Sequence, residues 1–229
     1  PVAIDKKAAG DRPVIGLVLS GGGARGAAHL GVLKVIEEMG IPVDVVVGTS
    51  MGSVVGALYS SGLSVADIDR VVRDNDWTQV LSDGPAYEEL SMTRKREVRN
   101  HQLGGRLGVG EKGIKLPSGL REGQNVRLML RHLTRHVADI NCFSQLALPF
   151  GAVATDVETG EAVVLDHGDL VTAMRASMAI PGYFSPVELD GQLLVDGGPA
   201  NNMPVSLARA MGADVVIAID IGTPMSKRD

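Results

Sequence analysis

The chain has 229 residues, 45% of them hydrophobic and 21% charged, values of a folded domain rather than a disordered chain, and its length suits one large core better than two. A formal net charge of −5 argues against wholesale nucleic-acid binding, and the single cysteine, Cys142, excludes an internal disulfide framework. Aromatic residues make up only 3% while glycines number 29, so the core must be aliphatic and packed with small residues. No stretch reaches the ~18 apolar residues of a membrane-spanning helix. The first residues lack both the apolar middle of a signal peptide and an initiator methionine, as a trimmed chain would.

In chain order, residues 1–12 read as a loose polar arm, with Gly10 and Pro13 as punctuation. Val14–Leu19 (VIGLVL) is a continuous apolar run, as expected of a strand buried on both faces. The loop Ser20–Gly26 follows, then a helix over Ala27–Met39 stopped by Gly40. Pro42–Val47 predicts the second strand and Met51–Ser61 the second helix, so the alternation implies parallel strands with right-handed crossovers. Ser64, with Asp67 three residues on, caps a helix reaching about Asp74. Leu103–Pro117 is glycine-rich with short alternating pieces and predicts a hairpin or flap, and Gly123–Val137 an amphipathic helix. Pro149–Asp156 and Glu161–Leu165 predict strands, Asp169–Met178 a helix, and Pro186–Val195 a hairpin turning at Asp190-Gly191. Met203–Met211 predicts a last helix and Asp214–Ile221 a last buried strand.

Three stretches carry candidate chemistry. Gly48-Thr49-Ser50-Met51-Gly52 joins an apolar strand to a small-residue helix. A Gly-x-Ser-x-Gly turn there puts the serine on a sharp bend above a helix N-terminus, either as a nucleophile or as a mere packing turn. The loop Gly21-Gly22-Gly23-Ala24-Arg25-Gly26 offers backbone N–H groups to an anion, either a nucleotide phosphate or the oxyanion of a tetrahedral intermediate. The second strand ends in Gly48-Thr49-Ser50 where a dinucleotide site wants an acid, and no Gly-Lys-Ser/Thr is present, which weakens the nucleotide reading. Arg25 either braces this loop or is a surface arginine. Of the five histidines (His29, His101, His132, His136 and His167), the last is His167, in an apparent hairpin, so none follows Asp196 near the C-terminus where a Ser–acid–His order would place it, and His29 reads as packed or capping. Asp196 ends the apolar strand QLLV before Gly197 and Gly198, and is either a base for Ser50 or an Asx turn.

These motifs, in this order and joined by the block Ala176-Ser177-Met178-Ala179-Ile180-Pro181-Gly182-Tyr183-Phe184, resemble those of the patatin-like phospholipases. The resemblance runs from Pro13 to Ile221. It implies a three-layer α/β/α fold with a mostly parallel central sheet, a single domain over 13–224 and a tail over 225–229. It also implies a lipid acyl hydrolase that needs no metal or cofactor, with Ser50 as nucleophile and Asp196 as general base. Gly21, Gly22 and Gly23 would form the oxyanion loop with Arg25 in support, and Gly26, Gly48, Gly52, Gly197 and Gly198 complete the motifs. A catalytically silent lipid- or protein-binding module on the same fold is the alternative. The run from Val195 to Pro224 is similar to bacterial members carried as passengers of outer-membrane barrels, which implies export, with a cytoplasmic relative as the other option. Expected partners are a phospholipid or membrane-surface substrate and no nucleic acid, with a homodimer left open.

Charge adds one more expectation. Residues 94–135 hold eleven of the 22 Lys and Arg but three of the 27 Asp and Glu, as a basic flap and helix insertion. Arg127, Arg131 and Arg135 fall at i, i+4 spacing on one helix face, either a solvated face or a docking surface for anionic lipid.

Overall fold

The computed structural model describes residues 12–83, 90–93, 95–96, 108–110, 113–115 and 121–222. Its centre is a seven-stranded sheet. β1 (Ile15–Leu19), β2 (Val45–Thr49) and β5 (Phe150–Asp156) run parallel, and β9 (Val215–Ile219) joins the free edge of β1 in the same direction. β6 (Ala162–Leu165) and β8 (Gln192–Asp196) lie antiparallel to β5, and β7 (Val187–Leu189) antiparallel to β8. Five of the seven strands thus point one way, the mostly parallel sheet expected. The hairpin β7–β8 turns at Asp190 and Gly191, with φ of 50° and 79°, the left-handed pair that a two-residue connection demands.

Alternate residues of β1 and β2 face opposite layers, as the period of a strand requires. Leu17, Leu19 and Val46 pack under α1 (Ala27–Glu38), α2 (Met51–Ser60), α3 (Val65–Asp74) and neighbouring helices. Val18, Val45 and Val47 pack with Leu207, Ala208 and Met211, around α8 (Val205–Ala210). Three layers are present, but among the described residues the second face carries much the thinner cover. The remaining helices are α4 (Trp77–Val80), α5 (Gln124–Leu133), α6 (Leu170–Ser177) and α7 (Gly198–Asn201), of which α5 and α6 pack on the first face.

Several expectations shift in register for local reasons. β2 starts at Val45 rather than Pro42, because proline cannot donate to a ladder and Asp44 spends its carboxylate on the Ile15 N–H at 2.8 Å and on Arg12 at 2.6 and 2.7 Å. Arg12, assigned to the loose arm, is therefore anchored; residues 1–11 and the tail over 225–229 lie outside the described residues. The Ser64 cap is as expected: Ser64 Oγ accepts from the Asp67 N–H at 3.1 Å. Of the predicted flap, β3 (Gly108–Gly110) and β4 (Gly113–Lys115) form an antiparallel hairpin, and the rest of 103–117 lies outside the described residues.

The basic helix ends earlier than its arginine spacing suggests. Thr134 Oγ1 bonds back to the Leu130 carbonyl at 2.8 Å, α5 stops at Leu133, and Arg135 opens a separate 3-10 turn, off the helix that carries Arg127 and Arg131. Arg127 donates to Thr172 Oγ1, and Arg131 stands 3.9 Å from Asp169. Most of the basic residues between 94 and 120 lie outside the described residues.

Candidate active site

The site exists because two strands meet end to end. Val153 of β5 pairs with Thr49 of β2 on one side and Val164 of β6 on the other; its neighbour Ala154 pairs with Asp196 of β8 and Val163 of β6. With β6 holding one edge of β5, β2 and β8 must share the other, entering from opposite ends. Their carboxyl ends abut at Val153–Ala154. That register brings Ser50 and Asp196 together across 146 residues of chain, and Ser50 Oγ donates to Asp196 Oδ2 at 2.5 Å.

Ser50 is held in a backbone conformation few residues adopt, φ 53° and ψ −123°. A non-glycine residue there is strained by roughly 1–3 kcal/mol. The turn is possible only because its flanking glycines permit backbone contact. A Cβ on Gly48 would sit 2.4 Å from the Gly52 carbonyl oxygen, and one on Gly52 would sit 2.2 Å from that of Leu19. Three partners hold the elbow. The Ser50 N–H donates to Ser177 Oγ at 2.9 Å, Ser177 Oγ donates to the Val153 carbonyl at 2.6 Å, and Ser53 Oγ donates to the Ser50 carbonyl at 2.7 Å. Ser177 thus fills the seam where β2 gives way to β8. Ser50 also stands at the N-cap position of α2 without a side-chain cap bond, with the helix's positive end beneath it.

Asp196 combines both roles the sequence left open. Oδ1 accepts from the Gly198 N–H at 2.8 Å, an Asx-type contact, while Oδ2 receives the Ser50 hydroxyl. Only 7% of the residue is exposed, and this burial pushes its carboxyl above the ordinary aspartate range, against the opposing pull of the Ser50 and Gly198 hydrogen bonds. Thr155 Oγ1 donates to the Asp196 carbonyl at 2.8 Å and Thr49 Oγ1 to that of Asn201 at 2.9 Å, tying the following loop to the sheet.

The glycine loop lies beside this pair. A Cβ on Gly21 would approach Ser50 Cβ to 3.0 Å. Gly21, Gly22 and Gly23 line a cleft of about 260 Å³ with Ser50, Asp196 and Asn202. The Gly21 N–H is already spent on the Asn202 carbonyl at 3.4 Å, whereas the N–H groups of Gly22 and Gly23 have no partner among the described residues. Arg25 is exposed, and its Nε makes a long 3.5 Å contact with the Gly22 carbonyl, from outside the cleft. Gly26, Gly48, Gly52 and Gly197 do not line the cleft; each is a point of close approach, Gly26 to Met51 and Gly197 to the Val153 carbonyl.

Among the described residues, no histidine is bonded to Ser50 or Asp196. His29 is fully buried in α1 and its Nε2–H donates to the Ser20 carbonyl at 2.9 Å, a packing role, and desolvation pulls its pKa down. Two residues of the site carry no evident task in the sequence, Ser177 within its motif block and Asn202 beyond Gly198. The only signal for Asn202 is the polar pair Asn201-Asn202 in an otherwise apolar run.

A second cavity, about 350 Å³ and overwhelmingly apolar, adjoins the cleft and shares Gly23 and Ile180 with it. Met51, Val55, Val72, Trp77, Leu81 and Phe184 wall it.

Comparison with known proteins gives the family and the fold. A family model described as patatin-like phospholipase matches residues 17–209. Patatin-like phospholipase domain-containing protein 6 of Mus musculus is 37% identical over 211 residues, 91% of this chain and 14% of its own length. The uncharacterized NTE family protein Mb1092c of Mycobacterium bovis is 32% identical over 209 residues, 91% of this chain and 49% of its own. This chain therefore spans a small part of the mouse relative and about half of the mycobacterial one. Among solved structures, VipD from Legionella pneumophila has the same fold, with a TM-score of 0.53 at 19% identity over 84% of this chain and 47% of that one.

Proposed function

Given that the chain belongs to the patatin-like phospholipase family, we propose that it is a lipid acyl hydrolase of the phospholipase A type, working through a Ser50–Asp196 dyad. The observation that carries the reading is the 2.5 Å hydrogen bond from a strained, elbow-borne serine to a buried carboxylate.

As Ser50 Oγ attacks the ester carbonyl, its proton passes to Asp196 Oδ2, and the carbonyl π electrons move onto oxygen. Gly22 and Gly23 line the cleft and their N–H groups have no partner among the described residues, so they are the donors left for that oxyanion, while Gly21 serves as the fixed end of the loop. Collapse expels the alcohol, which takes the proton back from Asp196, and leaves an acyl-Ser50 ester. Water, deprotonated by the same carboxylate, then releases the fatty acid. A carboxylate at its ordinary pKa is a weak base, so the upward push on Asp196 by burial favours both proton transfers. The apolar cavity beside the cleft supports a substrate with a long acyl chain.

Hydrolysis of a butyryl ester and of phosphatidylcholine vesicles by wild type and Ser50→Ala tests this. Loss of both activities in Ser50→Ala is expected. Equal rates in the two proteins would overturn the dyad and favour a silent binding module.

A further inference from the structure

We propose that Trp77 is the specificity-determining residue for acyl-chain length, acting as the end wall of the apolar groove beside the catalytic cleft. The kinetic part of this rests on the Ser50–Asp196 reading; the binding part does not.

The groove begins at the catalytic mouth, because Gly23 and Ile180 belong to both cavities. Outside that shared rim, Val72 of α3 and Trp77 and Leu81 at the two ends of α4 line it, and none of the three borders the catalytic cleft. Its apolar lining has nothing to offer a headgroup, and continuity with Ser50 commits it to the acyl chain of the ester under attack.

Trp77 is fixed there. Its indole N–H donates to the Val72 carbonyl at 2.8 Å, so the one polar atom of the side chain is spent on backbone and the ring is left as an apolar surface. The short helix that carries it is pinned at both ends. Asp76 accepts from the Thr78 and Gln79 N–H groups at 2.9 and 3.4 Å, and Asn125 Nδ2, from α5, donates to the Gln79 carbonyl at 3.2 Å. An end wall held this way discriminates: chains that stop short of it gain cover with each methylene, and longer ones must leave carbons in water. Each covered methylene should raise kcat/KM about fourfold up to the wall and add nothing beyond it.

Trp77 is the sole tryptophan of the chain and is only half-buried, so it reports on the groove directly. In Ser50→Ala protein, a fatty acid brominated at its terminal carbon should quench the fluorescence saturably, and the unbrominated fatty acid should compete. In the active protein, butyryl, octanoyl, lauroyl and palmitoyl esters give the length profile. Trp77→Ala should raise the palmitoyl-to-octanoyl ratio of kcat/KM at least about fourfold. Ala27→Phe, at an exposed position on the groove's rim, should lower it even if Trp77→Ala does not fold. Absence of quenching, or the same ratio in wild type and folded Trp77→Ala, would overturn the proposal, as would the same ratio in wild type and Ala27→Phe where Trp77→Ala does not fold. If wild type cleaves no ester, the dyad has failed, and the quenching still decides whether an acyl chain occupies the groove.

Discussion

The catalytic seam and the groove wall lie side by side but are made of different materials. At the seam, position is set by backbone: two strands abut on one edge of β5, Gly48 and Gly52 admit neighbouring carbonyls, and Ser50 is locked at φ 53°. At the wall, position is set by side-chain volume, from Val55, Val72, Trp77 and Leu81 on three short helices. On the proposed function, chemistry would tolerate almost no change in the first region while the second could be resized, which would make reaction type and substrate choice separable.

The seam can be broken most severely at its glycines. Gly48→Ala puts a Cβ 2.4 Å from a backbone oxygen that has nowhere to go, and should cost about 3 kcal/mol or more of stability, read as the midpoint of urea unfolding. Ser177→Ala leaves the Ser50 N–H and the Val153 carbonyl without their buried bridge. It should lower stability by about 1–3 kcal/mol and reduce kcat more than it alters KM, because the elbow loosens while the groove is untouched.

Asp196→Asn sharpens the comparison from another side. The folded-state pKa of Asp196 is raised, so its contribution favours folding below the ordinary aspartate pKa and is lost as pH rises through the folded value. At neutral pH the ionised carboxylate therefore opposes folding. Asp196→Asn should have a neutral-pH Tm no lower than wild type while losing turnover, and any Tm advantage should vanish in acid. For the same reason the acid limb of kcat/KM should have its midpoint above 3.8. At the small end, Gly31 sits exposed on α1 with nothing within 4 Å of an added methyl, so Gly31→Ala should stabilise by about 0.5–1 kcal/mol and leave turnover alone.

Legibility in the sequence follows the same division. The elbow, the glycine loop and Asp196 could be read because backbone constraints force particular residue types: glycine at Gly48 and Gly52, and an acid ending the apolar strand at Asp196. Ser64 could be read as a cap because the bond is local: its hydroxyl accepts from the N–H three residues on. Ser177 could not, since its partners lie 127 and 24 residues away and its task appears only once β2 and β8 share an edge. The groove was hidden because no periodicity marks α4, a helix of four residues, and its lining comes from scattered segments. Arg175 likewise looks like a surface residue on α6, yet it is 2% exposed with its guanidinium 4.4 Å from the centre of the Phe184 ring. The finer likeness to barrel-linked passengers reached as far as Thr223 and Pro224, which lie outside the described residues.

The central claim is that Ser50 draws its reactivity from Asp196 and from no histidine. The most direct measurement is the rate at which a fluorophosphonate probe labels Ser50, located by mass spectrometry, in folded wild type, Asp196→Asn and His29→Gln. The dyad predicts a fall of roughly 10²–10⁴ in Asp196→Asn and a near wild-type rate in His29→Gln. Labelling that survives the loss of Asp196, or that disappears with His29 in a folded protein, would contradict it.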